Sequence, residues 1–213
     1  IVVPRSMSRR VVIVGAGMGG LAAALDLTAS GHDVTLLERH DAPGGKLHEV
    51  EIDGRRIDSG PTVFTMRWVF EELFANAGLS FDEHVELSAA SVLARHSWAD
   101  GSRLDLFADL ERTAEAVQTF ADTKEADAYR LFAERSQTIF ETLDHSFMRR
   151  DKPGPIGLSL SLGLRGIPRL SATKPFISLW RELGNVFTDP RLRQLFGRYA
   201  TYCGSSPFDA PAT

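Results

Sequence analysis

Residues 11–21 read Val11-Val12-Ile13-Val14-Gly15-Ala16-Gly17-Met18-Gly19-Gly20-Leu21, and this stretch decides the fold. Four consecutive β-branched residues predict a strand buried on both faces. The strand ends on Gly15, and residues 19–30 carry the Leu and Ala of a helix, with Gly31 as its stop. A second apolar run, 34–37, predicts another buried strand that ends at Glu38. Strand, helix and strand within about 30 residues form a βαβ unit with parallel strands. Gly15, Gly17 and Gly20 occupy the three slots of G-x-G-x-x-G. The first permits the tight turn, the second the close approach of a pyrophosphate, the third close packing of helix on strand. Ala16 and Gly19 complete the loop, whose free amides at the helix N-terminus suit phosphate. Glu38, eighteen residues after Gly20, stands where a carboxylate accepts hydrogen bonds from a ribose diol. These features together point to a dinucleotide.

Outward from this unit the character changes. Asp41-Ala42-Pro43-Gly44-Gly45-Lys46 is a loop. Its glycine pair follows Glu38-Arg39 and suits a backbone passing close to a bulky, phosphate-bearing ligand, with Lys46 in reach of phosphate; a plain surface turn is the alternative. Asp53-Gly54 predicts a hairpin between 49–52 and 55–57, and Asp100-Gly101 a second between 92–98 and 103–107. Asp58-Ser59-Gly60-Pro61-Thr62 holds another break that brings Thr62 and backbone amides towards the same ligand. Helices are expected over 66–77, from an Asp109 cap to Phe120, over 124–147, and over 191–202 behind Asp189-Pro190. Tyr129, Phe132, Ala133, Phe140, Leu143 and Phe147 share one face of the long helix, a pattern that suits core more than a ligand cradle. Residues 153–168 are Gly/Pro-rich and apolar without a clear period.

Composition narrows the function. The chain has 213 residues, 24 Lys+Arg against 28 Asp+Glu, and a net charge of −4. There is no basic excess for a nucleic acid. Cys203 is alone, which excludes an internal disulfide framework and fits a reducing compartment. The six histidines show no zinc-ligand spacing, and there is no Ser/His/Asp or Cys/His signature, so the metal and nucleophile assignments are none. Residues 1–6 precede Met7, the expected natural start, and are left out of the fold. Two parallel strands are too few for a dinucleotide-binding sheet, and no later segment supplies a second strong βαβ.

Three motifs, V-x-G-A-G-x-G-G-L at 13–21 with Ile13 in the place of the valine, E-R-x-x-x-x-G-G-K at 38–46 and D-x-G-P-T at 58–62, resemble the flavin-containing amine oxidase and carotenoid desaturase superfamily. Gly60-Pro61-Thr62 is similar to the bacterial phytoene desaturase branch. Thr65-Met66-Arg67, the segment 93–102 and the segment 189–202 resemble the hydroxyneurosporene (methoxyneurosporene) 3,4-desaturases; residues 151–174 match only loosely.

The resemblance implies an α/β fold: a Rossmann-like FAD-binding start at 8–65, then hairpins and helices of a substrate region at 66–213, with the sheet completed beyond residue 213. It implies FAD held by Gly15, Ala16, Gly17, Gly19, Gly20, Glu38, Arg39, Gly44, Gly45, Lys46, Gly60, Pro61 and Thr62. It implies removal of two hydrogens beside a conjugated polyene, with oxygen or a quinone as electron acceptor. The catalytic residue stays unassigned; for His96 and Asp100, in the matched hairpin, a structural role and a substrate contact both stand. The implied location is cytoplasmic and peripheral to a membrane, where the long apolar carotenoid dissolves. Residues 157–170, with Arg165 and Arg169 among leucines, suit an interfacial segment or a loop over a tunnel equally. Phytoene desaturation, another flavin oxidoreduction of the superfamily, and a truncated nucleotide-binding fragment are the alternatives.

Overall fold

The computed structural model describes residues 8–61, 63–144, 149, 174 and 176–212. They fall into two compact units, Ile1–Ser88 and Ala89–Thr213.

In the first unit β1 (Arg10–Val14) pairs in parallel with β2 (Asp33–Leu37), with α1 (Met18–Ala29) as the crossover. The register sets Ile13 opposite Leu36 and Val14 opposite Leu37. Gly31, at φ +86°, ends the helix in the left-handed region that glycine enters without strain. Next, β3 (Glu49–Ile52) and β4 (Arg55–Asp58) form an antiparallel hairpin through Asp53-Gly54, both at positive φ. Helix α2 (Arg67–Asn76) lies against α1, and a short α3 (Phe81–His84), not expected from the sequence, follows. Phe81 is buried against Phe70 and Phe74, with ring centroids 6.1 and 5.3 Å away. The expectation of strands buried on both faces is not met: half-buried and exposed positions alternate along β1 and β2, and Val14 is 83% and Val12 61% exposed.

The second unit has a conventional core. β5 (Val92–Ser97) and β6 (Arg103–Phe107) pair antiparallel through Asp100-Gly101. Helix α4 (Leu110–Phe120) packs on β6 and on α5 (Thr123–Leu143). Two further helices, α6 (Leu179–Val186) and α7 (Pro190–Gly197), lead into a 3₁₀ turn, Arg198–Cys203. Asp109, Asp122, Ser178 and Asp189 each cap a helix N-terminus by accepting a backbone N–H. Leu104, Val117, Leu183, Phe187, Leu192 and Phe196 form the centre. Full burial of side chains of this size contributes about 1.5–3 kcal/mol each.

Two further expectations need correction. The helix expected over 191–202 ends at Gly197, where the backbone tightens into the 3₁₀ turn and Gly204 closes it at φ +66°. On α5, Tyr129 and Phe132 pack on the core, but Phe140 is 50% exposed, because the core reaches only the first half of this long helix. Phe147 and residues 151–173 lie outside the described residues, as does the apolar stretch within them.

Candidate cofactor-binding site

The site is built from backbone. Gly15, at φ +101°, turns the chain out of β1, and its N–H donates to Leu37 O at 2.7 Å. Ala16 is the buried pivot. Its N–H donates to Glu38 Oε2 at 2.6 Å, and its carbonyl accepts from Gly44 N–H at 2.8 Å. Gly17, at φ −75°, is the N-terminal cap of α1, and its carbonyl accepts from Leu21 N–H at 2.9 Å. Gly17 and Gly44 also form an isolated parallel bridge. Thus the loop after β1, the end of β2 and the Gly44–Gly45 turn are tied into one surface over the free amides of α1.

Glycine is required here for two different reasons. A Cβ on Gly20 would stand 1.9 Å from Gly15 O, and one on Gly44 would stand 2.2 Å from Leu47 O. Those two serve the fold itself. A Cβ on Gly19 would meet nothing within 4 Å, and one on Gly17 only Gly45 Cα at 3.9 Å. The chain's own atoms therefore leave space over Gly17 and Gly19 that a side chain would fill, at a helix N-terminus where amides point outward. This cradle fits the pyrophosphate of a dinucleotide.

Glu38 does more than the sequence suggested. Its Oε1 accepts from Arg39 N–H at 2.7 Å and His40 N–H at 2.9 Å, and Oε2 accepts from Ala16. The His40 and Ala16 amides hold its carboxyl below the usual carboxylate range. A carboxylate has about four acceptor positions, so three such bonds leave room for a ribose hydroxyl. Arg39 Nη2 lies 3.2 Å from His40 Nε2. Lys46 is exposed, and its carbonyl sits where a Cβ on Gly60 would be 2.9 Å away. Gly60 N–H donates to Asp58 Oδ1 at 2.9 Å, and Ser59 N–H to His48 O at 2.9 Å, so the 58–61 turn is held to the 46–48 backbone. Pro61 is exposed; Thr62 lies outside the described residues. What the sequence reading missed is the work of Ala16, a residue without a functional group whose two backbone atoms join three segments.

Residues 13–75 match the family model of the NAD(P)-binding Rossmann-like domain. A hydroxyneurosporene desaturase from Rubrivivax gelatinosus is 48% identical over 97% of this chain and 39% of its own length. A phytoene dehydrogenase from Streptomyces griseus is 39% identical over 95% of this chain and 39% of its own. The chain thus spans about two fifths of the length of the curated relatives it matches. A triple mutant of putrescine oxidase superposes with a TM-score of 0.54 at 20% identity, over 96% of this chain and 40% of that one, which shows a shared fold. The expected α/β class with a Rossmann-like start agrees with these findings. Over nearly its whole length, the chain is similar to part of the hydroxyneurosporene desaturases, at 45–48% identity.

Proposed function

We propose that this chain supplies the amino-terminal flavin-binding loops and part of the substrate region of an FAD-dependent carotenoid desaturase. The reaction is removal of hydrogens from an acyclic carotenoid, at the 3,4 position of a 1-hydroxy or 1-methoxy compound. The observation that carries it is the cradle over Gly17 and Gly19, glycine where the fold itself leaves room for a side chain. The 48% identity to a hydroxyneurosporene desaturase supports the substrate class.

In this reading residues 8–65 hold the dinucleotide. Gly15, Ala16, Gly17, Gly19 and Gly20 present the pyrophosphate surface, and Glu38 meets the ribose beside Arg39. Gly44, Gly45 and Lys46 close over the phosphates, and Gly60 and Pro61 complete the wall. FAD, when bound, supplies the hydride acceptor. The chain's contribution is positioning and exclusion of water, since the conjugated chain delocalises developing charge and lowers the demand for a strong base. Residues 66–213 contribute to the substrate region. Among the described residues no helix is long and apolar enough to cross a membrane. The enzyme is assigned to the cytoplasmic side, drawing its substrate from a membrane surface and passing electrons to oxygen or a quinone.

Phytoene desaturation is the second reading, favoured by the 39% identity to a phytoene dehydrogenase. Product analysis of the full-length protein in carotenoid-producing cells separates the two. New 3,4-desaturated hydroxy- or methoxycarotenoids support the first reading, and conversion of phytoene supports the second. An unchanged pigment spectrum contradicts both.

A further inference from the structure

Along β5 the burial alternates, and Val92, Ala94 and His96 fall on the half-buried side. His96, opposite Leu104, occupies a place where that alternation calls for an apolar residue. Its Nε2 is buried and meets no hydrogen-bond partner among the described residues. Buried polar atoms are almost always partnered, so an orphan on a residue that lines a cavity asks for one. His96 lines two cavities: one of about 540 Å³ beside the charged Arg95, Arg103 and Asp105, and one of about 450 Å³ between the β5–β6 hairpin and α7 with the turn that follows it. His96, Trp98, Ala99, Gln194, Leu195 and Arg198 line the second. Trp98 Nε1 donates to Gln194 Oε1 at 2.8 Å, which fixes that side of the wall. Besides His96, the polar side chains of this wall are the exposed Ser97, Gln194 and Arg198; Ala99 and Leu195 are apolar, and the Trp98 indole is satisfied. Burial, and then the charge of Arg198, hold the imidazole below its usual pKa, outweighing Asp105, so the ring is neutral at physiological pH.

We propose that this second cavity receives the end of an apolar chain and that His96 Nε2 hydrogen-bonds a single uncharged oxygen there, a hydroxyl or an ether. This rests on the carotenoid reading above and makes His96 the residue that recognises an oxygenated end group. A neutral ring nitrogen can donate to either kind of oxygen, and a volume of this size admits an end group rather than a whole polyene.

The test uses the full-length protein loaded with FAD and two probes: an acyclic polyene bearing a terminal tertiary hydroxyl, and the same polyene without it. Binding is read from quenching of protein fluorescence. Wild type is expected to bind the hydroxylated probe about tenfold tighter, the factor that one net hydrogen bond supports. His96→Phe brings the ratio to one with affinity for the hydrocarbon unchanged, and His96→Gln retains a preference. In the wild type, the ¹⁵N shift of His96 Nε2 moves with the hydroxylated probe and not with the hydrocarbon. Equal binding of the two probes by wild type, an undiminished preference in His96→Phe, or an unmoved Nε2 shift overturns the proposal. Desaturation of the hydroxylated probe is scored separately. A protein that discriminates without desaturating supports the His96 assignment and breaks the functional reading. Desaturation without discrimination overturns the assignment alone.

Discussion

The two units hold themselves together by different means. In the first, the functional surface is made of main chain: α1 buries none of its residues fully, and the loops around Gly15, Glu38 and Gly44 are joined by amide hydrogen bonds. In the second, side chains decide. Leu183, Leu192, Val117 and Phe187 are at most 1% exposed, and Phe187 meets Phe132 edge-on and stacks on Phe196. A backbone-built surface depends on which positions lack a side chain, and a packed core on which positions have one. The two should therefore fail differently.

The largest effect is expected in the core. Phe187→Ala in the full-length protein should cost about 3–5 kcal/mol of stability, seen as a lowered denaturation midpoint, with flavin content per folded molecule unchanged. Loss of flavin at unchanged stability would erase the distinction between the units. Gly20→Val should follow. Its Cβ meets Gly15 O at 1.9 Å, which places it near the upper end, about 3 kcal/mol, of ordinary overpacking costs. Unlike Phe187→Ala, it should also remove the flavin; retained yellow absorbance would show that the loop can shift.

Glu125 gives a smaller effect in the second unit. It is 2% exposed, and its Oε1 accepts from Thr188 N–H at 2.8 Å, from Asp189 N–H at 3.1 Å and from the Thr188 hydroxyl. Glu125→Ala leaves these donors unmatched and should cost about 1–3 kcal/mol. A neutral result by urea denaturation would mean that water replaces the carboxylate. Removal of the α4 cap in Asp109→Ala should cost about 1 kcal/mol, measured in the same way.

The smallest effect concerns pH at Glu38. Its folded pKa is depressed, first by the His40 amide and then by Ala16, so its contribution is present above the unfolded pKa and is lost as pH falls through the folded one. Hydrogen exchange at the Ala16 and His40 amides should rise as pH drops through and below the ordinary carboxylate range, once corrected for intrinsic rates. Protection that holds flat until global acid unfolding would contradict this.

Much of the first unit was legible because its signals are local. Glycine spacing, a β-branched run and an acid at the strand end specify β1, α1, β2 and the loop between them without reference to distant residues. Asp-Gly pairs placed both hairpins for the same reason. Less was legible where packing decides. The four-residue α3 has too little sequence to show a period, and α6 emerges through its Ser178 cap and its burial against the core. Phe140 shares a helical face with Phe132 but lies past the end of the core that would cover it. The site followed the same division. The glycines could be named from spacing, whereas the bonds of Ala16 and the orphaned Nε2 of His96 arise from segments far apart in sequence.

The central claim is that the space over Gly17 belongs to a ligand and not to the fold. Gly17→Leu tests it most directly, since Gly17 has ordinary φ and a Cβ there meets only Gly45 Cα at 3.9 Å. The measurement is flavin content of the purified full-length protein together with thermal denaturation of the flavin-free form. The account predicts a flavin-free variant whose melting matches that of flavin-free wild type. A variant that keeps its flavin would contradict it.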